Sequence, residues 1–283
     1  IDKRIKSGIA VTAAQVRQIV QEVVYREQAN KRQTMTLNAY LALYQEQAEQ
    51  GVRKTQKGTN FSPGTIKSIR LARHQFEVFQ VKSGRVYDFN DIDYGFRTMF
   101  LSYLYGDKKY NVNTAAKCIN TLVTILGAAE AEGYHNNTKC LSRQFRAKRK
   151  DVDNVYLTKE ELQAMMSADI SHLTKLHELA RDIFMVGVYT AQRVSDYNHI
   201  TKDNIKTTES GDKVIELRQQ KTGTWVSIPV KPELMEILKK YNFELPYLCE
   251  QKINEYIKKV GEVAKINTPV TIENTKSGKV AFT

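Results

Sequence analysis

Along most of the chain, apolar side chains recur every three or four residues, the spacing that gathers them on one face of an α-helix. Val16, Ile19, Val20, Val23 and Val24 make the first such stripe, with Thr12 placed to cap it. Leu37, Tyr40, Leu41 and Tyr44 make the next. A glycine- and lysine-rich stretch, 51–60, reads as a loop, and Ser62-Pro63 behind it is a favourable helix start. The helix it opens turns Ile66, Ile69, Phe76 and Phe79 inward and leaves Lys67, Arg70, Arg73 and His74 on its other side. Residues 92–105, rich in Phe, Tyr, Met and Leu, predict a third helix in this region. A fourth opens at 111–114, runs through Ala115, Ile119, Leu122, Val123, Leu126 and Ala129, and ends near Gly133.

Beyond residue 155 the pattern becomes mixed. Thr158 and Glu161 have the spacing of a capping box, which predicts a helix reaching about Ser167. Residues 172–188 predict another, with Leu176, Leu179, Ile183, Phe184 and Val186 as its core face. Lys213 to Leu217 is strand-like, and residues 216–230 read as two short strands about a Thr-Gly turn with Lys221 near the tip. Residues 232–241 and 252–264 predict amphipathic helices. The fold class expected is mainly α with a small antiparallel β-sheet. Its parts are an N-terminal coupling helix over 1–34, a helical domain over 35–140, a basic linker over 141–154 and a mixed domain over 155–283.

Charge sharpens this division. The 283 residues carry a formal net charge of +12, and residues 1–150 hold 25 Lys and Arg against 12 Asp and Glu, whereas the remainder holds 18 against 19. An excess confined to one domain favours a polyanion as partner, bound with strong salt dependence. The run Arg143-Gln144-Phe145-Arg146-Ala147-Lys148-Arg149-Lys150 reads as a flexible tether whose cations track a phosphate backbone. A merely soluble linker is the plainer alternative. No apolar stretch approaches membrane-spanning length and the N-terminus has no signal-peptide core, so the expected location is cytoplasmic with no membrane partner. Cys118, Cys140 and Cys249 stand singly without ligand spacing, and none of the five histidines forms a metal pair; neither metal nor other cofactor is expected.

Two stretches carry chemistry. Tyr189-Thr190-Ala191-Gln192-Arg193-Val194-Ser195-Asp196-Tyr197 places one arginine just past an apolar helix, and a guanidinium fork fits phosphate oxygens two at a time. About twenty-five residues on comes Lys221, in Gln-Lys-Thr-Gly before an Ile-Pro strand. Together these motifs resemble the first half of the active site of the tyrosine recombinases, the phage and transposon integrases. That family writes its arginine motif Thr-Gly-x-Arg-x-Ser-Glu/Asp, matched by 190–196 except that Ala191 replaces the glycine, and sets its lysine on a β-hairpin. The likeness runs from about Met35 almost to the end and is nearest to integrases of conjugative transposons and related mobile elements.

The resemblance implies site-specific DNA recombination, integration or excision of a mobile element, through a 3′-phosphotyrosyl intermediate. Arg193 would stabilise charge on the phosphate, Lys221 would protonate the leaving oxygen, and Asp196 would support Arg193. The helical domain would be the core-type DNA-binding domain. There Lys67, Arg70 and Arg73 would meet phosphates, as would the linker cations Arg143, Arg146, Lys148 and Arg149. Thr114, Lys117 and Asn120 would approach the groove, and the N-terminus of the fourth helix, at Asn113 and Thr114, would favour phosphate. The partners implied are double-stranded DNA, further copies in a homotetramer, and accessory DNA-bending proteins. The family's later His-x-x-Arg pair and its nucleophilic tyrosine should follow Thr283, and residue 1 is not Met, so the sequence reads as a fragment at both ends and inactive as given. Plainer readings stay open: an Arg193–Asp196 ion pair, a surface turn lysine, a solvated basic face. For the whole protein the alternative is a non-catalytic DNA-binding regulator or decoy on the same scaffold.

Overall fold

The computed structural model describes residues 16, 17, 20, 35–151, 154–274 and 278–282. The stripe at the N-terminus lies mostly outside the described residues, of which Val16, Arg17 and Val20 are helical. Described residues 35–151 belong to one compact unit and residues 154–272 to another.

The first unit is four helices, α1 (Leu37–Glu49), α2 (Pro63–Ser83), α3 (Tyr94–Gly106) and α4 (Val112–Ala131). Each begins where a side-chain oxygen accepts a backbone N–H three residues on: Thr36 from Ala39, Ser62 from Thr65, Asp93 from Phe96, Asn111 from Thr114. Helix α4 packs against the other three. It can do so because Ala115 and Ala116 let its neighbours approach while Ile119, Leu122, Ile125 and Leu126 fill the space between, all fully buried. An aromatic cluster, Phe76, Phe79, Phe96, Phe100 and Tyr103, joins α2 to α3, with ring centroids 5.2 to 6.0 Å apart.

The basic run after α4 is not a loose tether. Phe145 is fully buried in the same core with Cys140, Ala147 follows it inward, and Arg97 Nε donates to the Phe145 carbonyl at 2.7 Å. Phe145 and Ala147 each land in a site the helices leave open, which draws the segment onto the core. Burial pushes the Cys118 thiol up to about 12 and the Cys140 thiol to about 11; Cys249 is exposed.

The second unit comprises α5 (Lys159–Ser167), α6 (Lys175–Thr190), the single turn α7 (Val194–Tyr197), strands β1 (Ile205–Thr207), β2 (Lys213–Arg218) and β3 (Trp225–Pro229), then α8 (Pro232–Lys240) and α9 (Glu250–Val263). The Thr158–Glu161 capping box is present. The strands form an antiparallel sheet in the order β1-β2-β3, with Ile215 opposite both Ile205 and Ile228, and Leu217 opposite Val226. Ile215 and Leu217 face Met185, Val186, Leu234, Ile237 and Leu238 in one cluster. That cluster gathers on the C-terminal half of α6, so Leu176, read as core, lies beyond it and is 44% exposed. Asp182 is buried in α6, where it accepts from Lys240 Nζ at 2.5 Å and Tyr241 Oη at 2.8 Å and so ties α6 to the end of α8. Strands β4 (Val270–Asn274) and β5 (Gly278–Phe282) make a separate two-stranded sheet. Among the described residues no helix is long and apolar enough to cross a membrane.

Candidate active site and nucleic-acid surface

Helix α6 stops at Ala191, whose backbone is left-handed at φ 52°, ψ 26°, while its N–H still reaches the Gly187 carbonyl at 2.9 Å. This is the helix end at which glycine is normally found. The chain turns sharply there and α7 begins at once, capped by Arg193 and leaving Asp196 inside it. Gly187 fixes α7 against α6: a Cβ at that position would stand 2.6 Å from Cε1 of Tyr197, so the ring lies directly on the helix backbone. Burial raises the pKa of Tyr197 and of Tyr189.

Arg193 is 47% exposed along its side chain, whereas the Asp196 side chain has no exposed surface. One guanidinium nitrogen stands 3.8 Å from Asp196 Oδ2, a long ion pair, and Arg193 makes no side-chain hydrogen bond among the described residues. Asp196 Oδ2 is buried and accepts no hydrogen bond. The other oxygen, Oδ1, accepts the backbone N–H of Gln220 at 2.8 Å. Gln220 Nε2 donates to the Ser195 carbonyl at 2.7 Å, and Gln219 Nε2 donates to Gln192 Oε1 at 2.7 Å. Three hydrogen bonds therefore hold the β2–β3 turn on the arginine motif. The turn itself is closed by Gly223 N–H to the Gln219 carbonyl at 2.8 Å and by Thr222 Oγ1 to Gln219 Oε1 at 2.7 Å. Lys221 follows Gln220 directly and is exposed, with neither hydrogen bond nor ion pair among the described residues. The structure thus brings together Arg193, Asp196 and the base of the Lys221 turn. Gln192, Gln219 and Gln220, which join them, went unnoticed in the sequence, where a glutamine beside a motif gives no pattern to detect.

In the first unit the proposed phosphate ligands divide. Lys67 is exposed without an ion pair among the described residues, but Arg70 is held by Glu49 at 2.6 Å and Arg73 by Glu77 at 2.8 Å. Thr114 is half-buried and its N–H is taken by Asn111 Oδ1 at 2.8 Å, so the α4 N-terminus is capped internally rather than open to an anion at that amide. Asn120 uses both ends of its amide on Ala147, donating to its carbonyl and accepting its N–H at 3.0 Å each. Groove contact by Asn120 would break that pair. Lys117, Arg143, Arg146, Lys148 and Arg149 are exposed and free of ion pairs among the described residues. Among those residues no group of three or more His, Cys, Asp or Glu could hold a metal ion.

The fold is that of the tyrosine recombinases, and residues 27–144 match the family model of the phage integrase SAM-like domain. The chain is similar to lambda integrase in the structure of its tetramer bound to a Holliday junction, with 17% identity, a TM-score of 0.58, and 90% of this chain aligned to 74% of that one. It is similar also to XerH recombinase bound to difH substrate before cleavage, with 16% identity over 78% of this chain and 69% of that one, at a TM-score of 0.54. For the post-cleavage XerH complex on palindromic difH the figures are 14%, 82%, 70% and 0.52. No curated protein sequence matches the chain.

Proposed function

We propose that this chain acts in site-specific recombination of double-stranded DNA, as part of a tyrosine recombinase serving the integration or excision of a mobile element. The observation that carries the reading is the buried Asp196 carboxylate, which stands 3.8 Å from the Arg193 guanidinium and accepts the backbone N–H of Gln220, the residue before Lys221. A tyrosine oxygen would attack the phosphorus while the P–O5′ bond breaks, leaving a 3′-phosphotyrosyl ester. Arg193 would meet the non-bridging oxygens as charge grows on them, without reorganising at that moment. Lys221 would hand its proton to the departing 5′-oxygen. Asp196 orients rather than transfers: its orphaned Oδ2 gains a partner once Arg193 closes by roughly 1 Å to an ordinary charge-assisted distance.

In the first unit Lys67, Lys117, Arg143, Arg146, Lys148 and Arg149 would face the phosphate backbone of the core site. Assembly as a homotetramer on DNA, with accessory bending proteins, belongs to the same reading, as does kinship with conjugative-transposon integrases. In the full-length protein Arg193→Lys keeps the charge and removes the fork. It should reduce strand cleavage about 100- to 1000-fold while duplex affinity stays nearly unchanged. Cleavage at the original rate would remove Arg193 from the reaction.

A further inference from the structure

Asn113 and Asn120 lie two helical turns apart on α4, and each spends its whole side-chain amide on one residue of the basic run. Asn120 pairs with Ala147 at 3.0 Å in both directions; Asn113 donates to the Lys150 carbonyl and accepts the Lys150 N–H at 2.9 Å each. A primary amide used this way does what a neighbouring β-strand would do for the run. The two anchor points are seven residues apart on the helix, roughly 10 Å. Three residues of chain reach roughly 10 Å only when nearly fully extended. The run from Ala147 to Lys150 is therefore stretched along α4, antiparallel to it, with Lys148 and Arg149 exposed between the anchors. Lys117 falls on the same helix stripe between the two asparagines, and it too is exposed.

We propose that Asn113 and Asn120 are positioning residues that hold this run taut, so that Lys117, Lys148 and Arg149 form a fixed cation cluster for the phosphate backbone of duplex DNA. The proposal rests on the DNA-binding reading above and deepens it. Like charges with no ion pair repel one another, and a freely moving segment would spread them apart. The asparagines keep them concentrated, and a polyanion relieves the repulsion. By contrast Arg70 and Arg73 would first have to leave Glu49 and Glu77.

The test is anisotropy of a short fluorescein-labelled duplex, titrated with the full chain over a range of salt concentrations. The variants are Asn113→Ala/Asn120→Ala, Lys148→Ala/Arg149→Ala, and all four together. Removing the clamps should weaken binding roughly tenfold, because the run must then be ordered on the DNA. The salt slope should stay the same, since the same cations still displace counterions. Removing the two cations should lower the slope by about 2. Adding the clamp changes to that variant should cost little more. Amide hydrogen exchange supplies a second readout, with the Ala147 and Lys150 amides protected in the wild type and released by the clamp changes. Unchanged affinity of the clamp variant would overturn the proposal, as would an equal clamp penalty with and without the cations, or unprotected wild-type amides. A wild-type chain with no salt-dependent duplex affinity would overturn the DNA-binding reading itself and this inference with it.

Discussion

Ala191 offers a test in which the sign of the effect follows from backbone geometry alone. Its φ of 52° puts an alanine where the methyl group crowds the following carbonyl. The left-handed region costs an L-residue about 1–2 kcal/mol, and glycine escapes that strain. Glycine in turn loses more unfolded-chain freedom on folding, about 0.5–1 kcal/mol relative to alanine. Ala191→Gly should therefore stabilise the second unit by about 0.5–1 kcal/mol net. For a unit of this size that raises its melting temperature by roughly 2–5 °C. The assay is differential scanning calorimetry, with urea denaturation followed by circular dichroism as a check on the m-value. The shift should appear in the transition of the second unit and leave that of the first in place. A lower melting temperature, or none of the expected rise, would refute the left-handed helix end. With it would go the explanation of why a glycine suits this position in the arginine motif.

Gly187→Ala should act in the opposite direction. Its methyl group would strike the Tyr197 ring, destabilising the second unit by about 1–3 kcal/mol. Because Arg193 directly precedes α7, cleavage by the full-length protein should fall as well, and an unchanged urea midpoint would mean that the ring does not rest on α6. The hydrogen bond and charge of Lys240 hold the Glu178 carboxyl below its ordinary 4.5, against the opposing effect of partial burial. Backbone N–H donation from Asp88, opposed by burial and aided by Arg85, lowers Asp91 below 3.8. Groups whose folded pKa is depressed stabilise fully above their unfolded values and lose that contribution as pH falls through the folded ones. Urea midpoints should thus decline from about pH 4.5 downward, and a midpoint that holds or rises on acidification to about pH 3 would contradict these pairings.

Periodicity was sufficient wherever one side of an element was buried and the other wet. The four helices of the first unit, the Thr158–Glu161 box and the β2–β3 hairpin were legible for that reason, and motif context singled out Arg193 and Lys221 as candidates. The rest failed through long-range pairing. Nothing near Arg143 to Lys150 reveals that Asn120 and Asn113, 27 and 37 residues upstream of their partners, would fasten it. Charge density there pointed to a solvated tether, and Phe145 was the one contrary sign. Buried Asp182 gave no signal either, since its partners Lys240 and Tyr241 lie 58 and 59 residues on. Leu176 shows the converse error, since an apolar residue on the right face is buried only where something lies opposite. Strand β1 is three residues long, too short for alternation to declare it.

Arg193 and Lys221 are proposed to serve one scissile phosphodiester. The most direct measurement is cleavage by full-length Lys221→Ala protein on paired substrates, one ordinary and one with sulfur in place of the bridging 5′-oxygen. A thiolate leaves without a proton, so the variant should be slowed about 100- to 10,000-fold on the oxygen substrate and cleave the sulfur substrate at nearly the wild-type rate. An equal defect on both substrates would contradict the account.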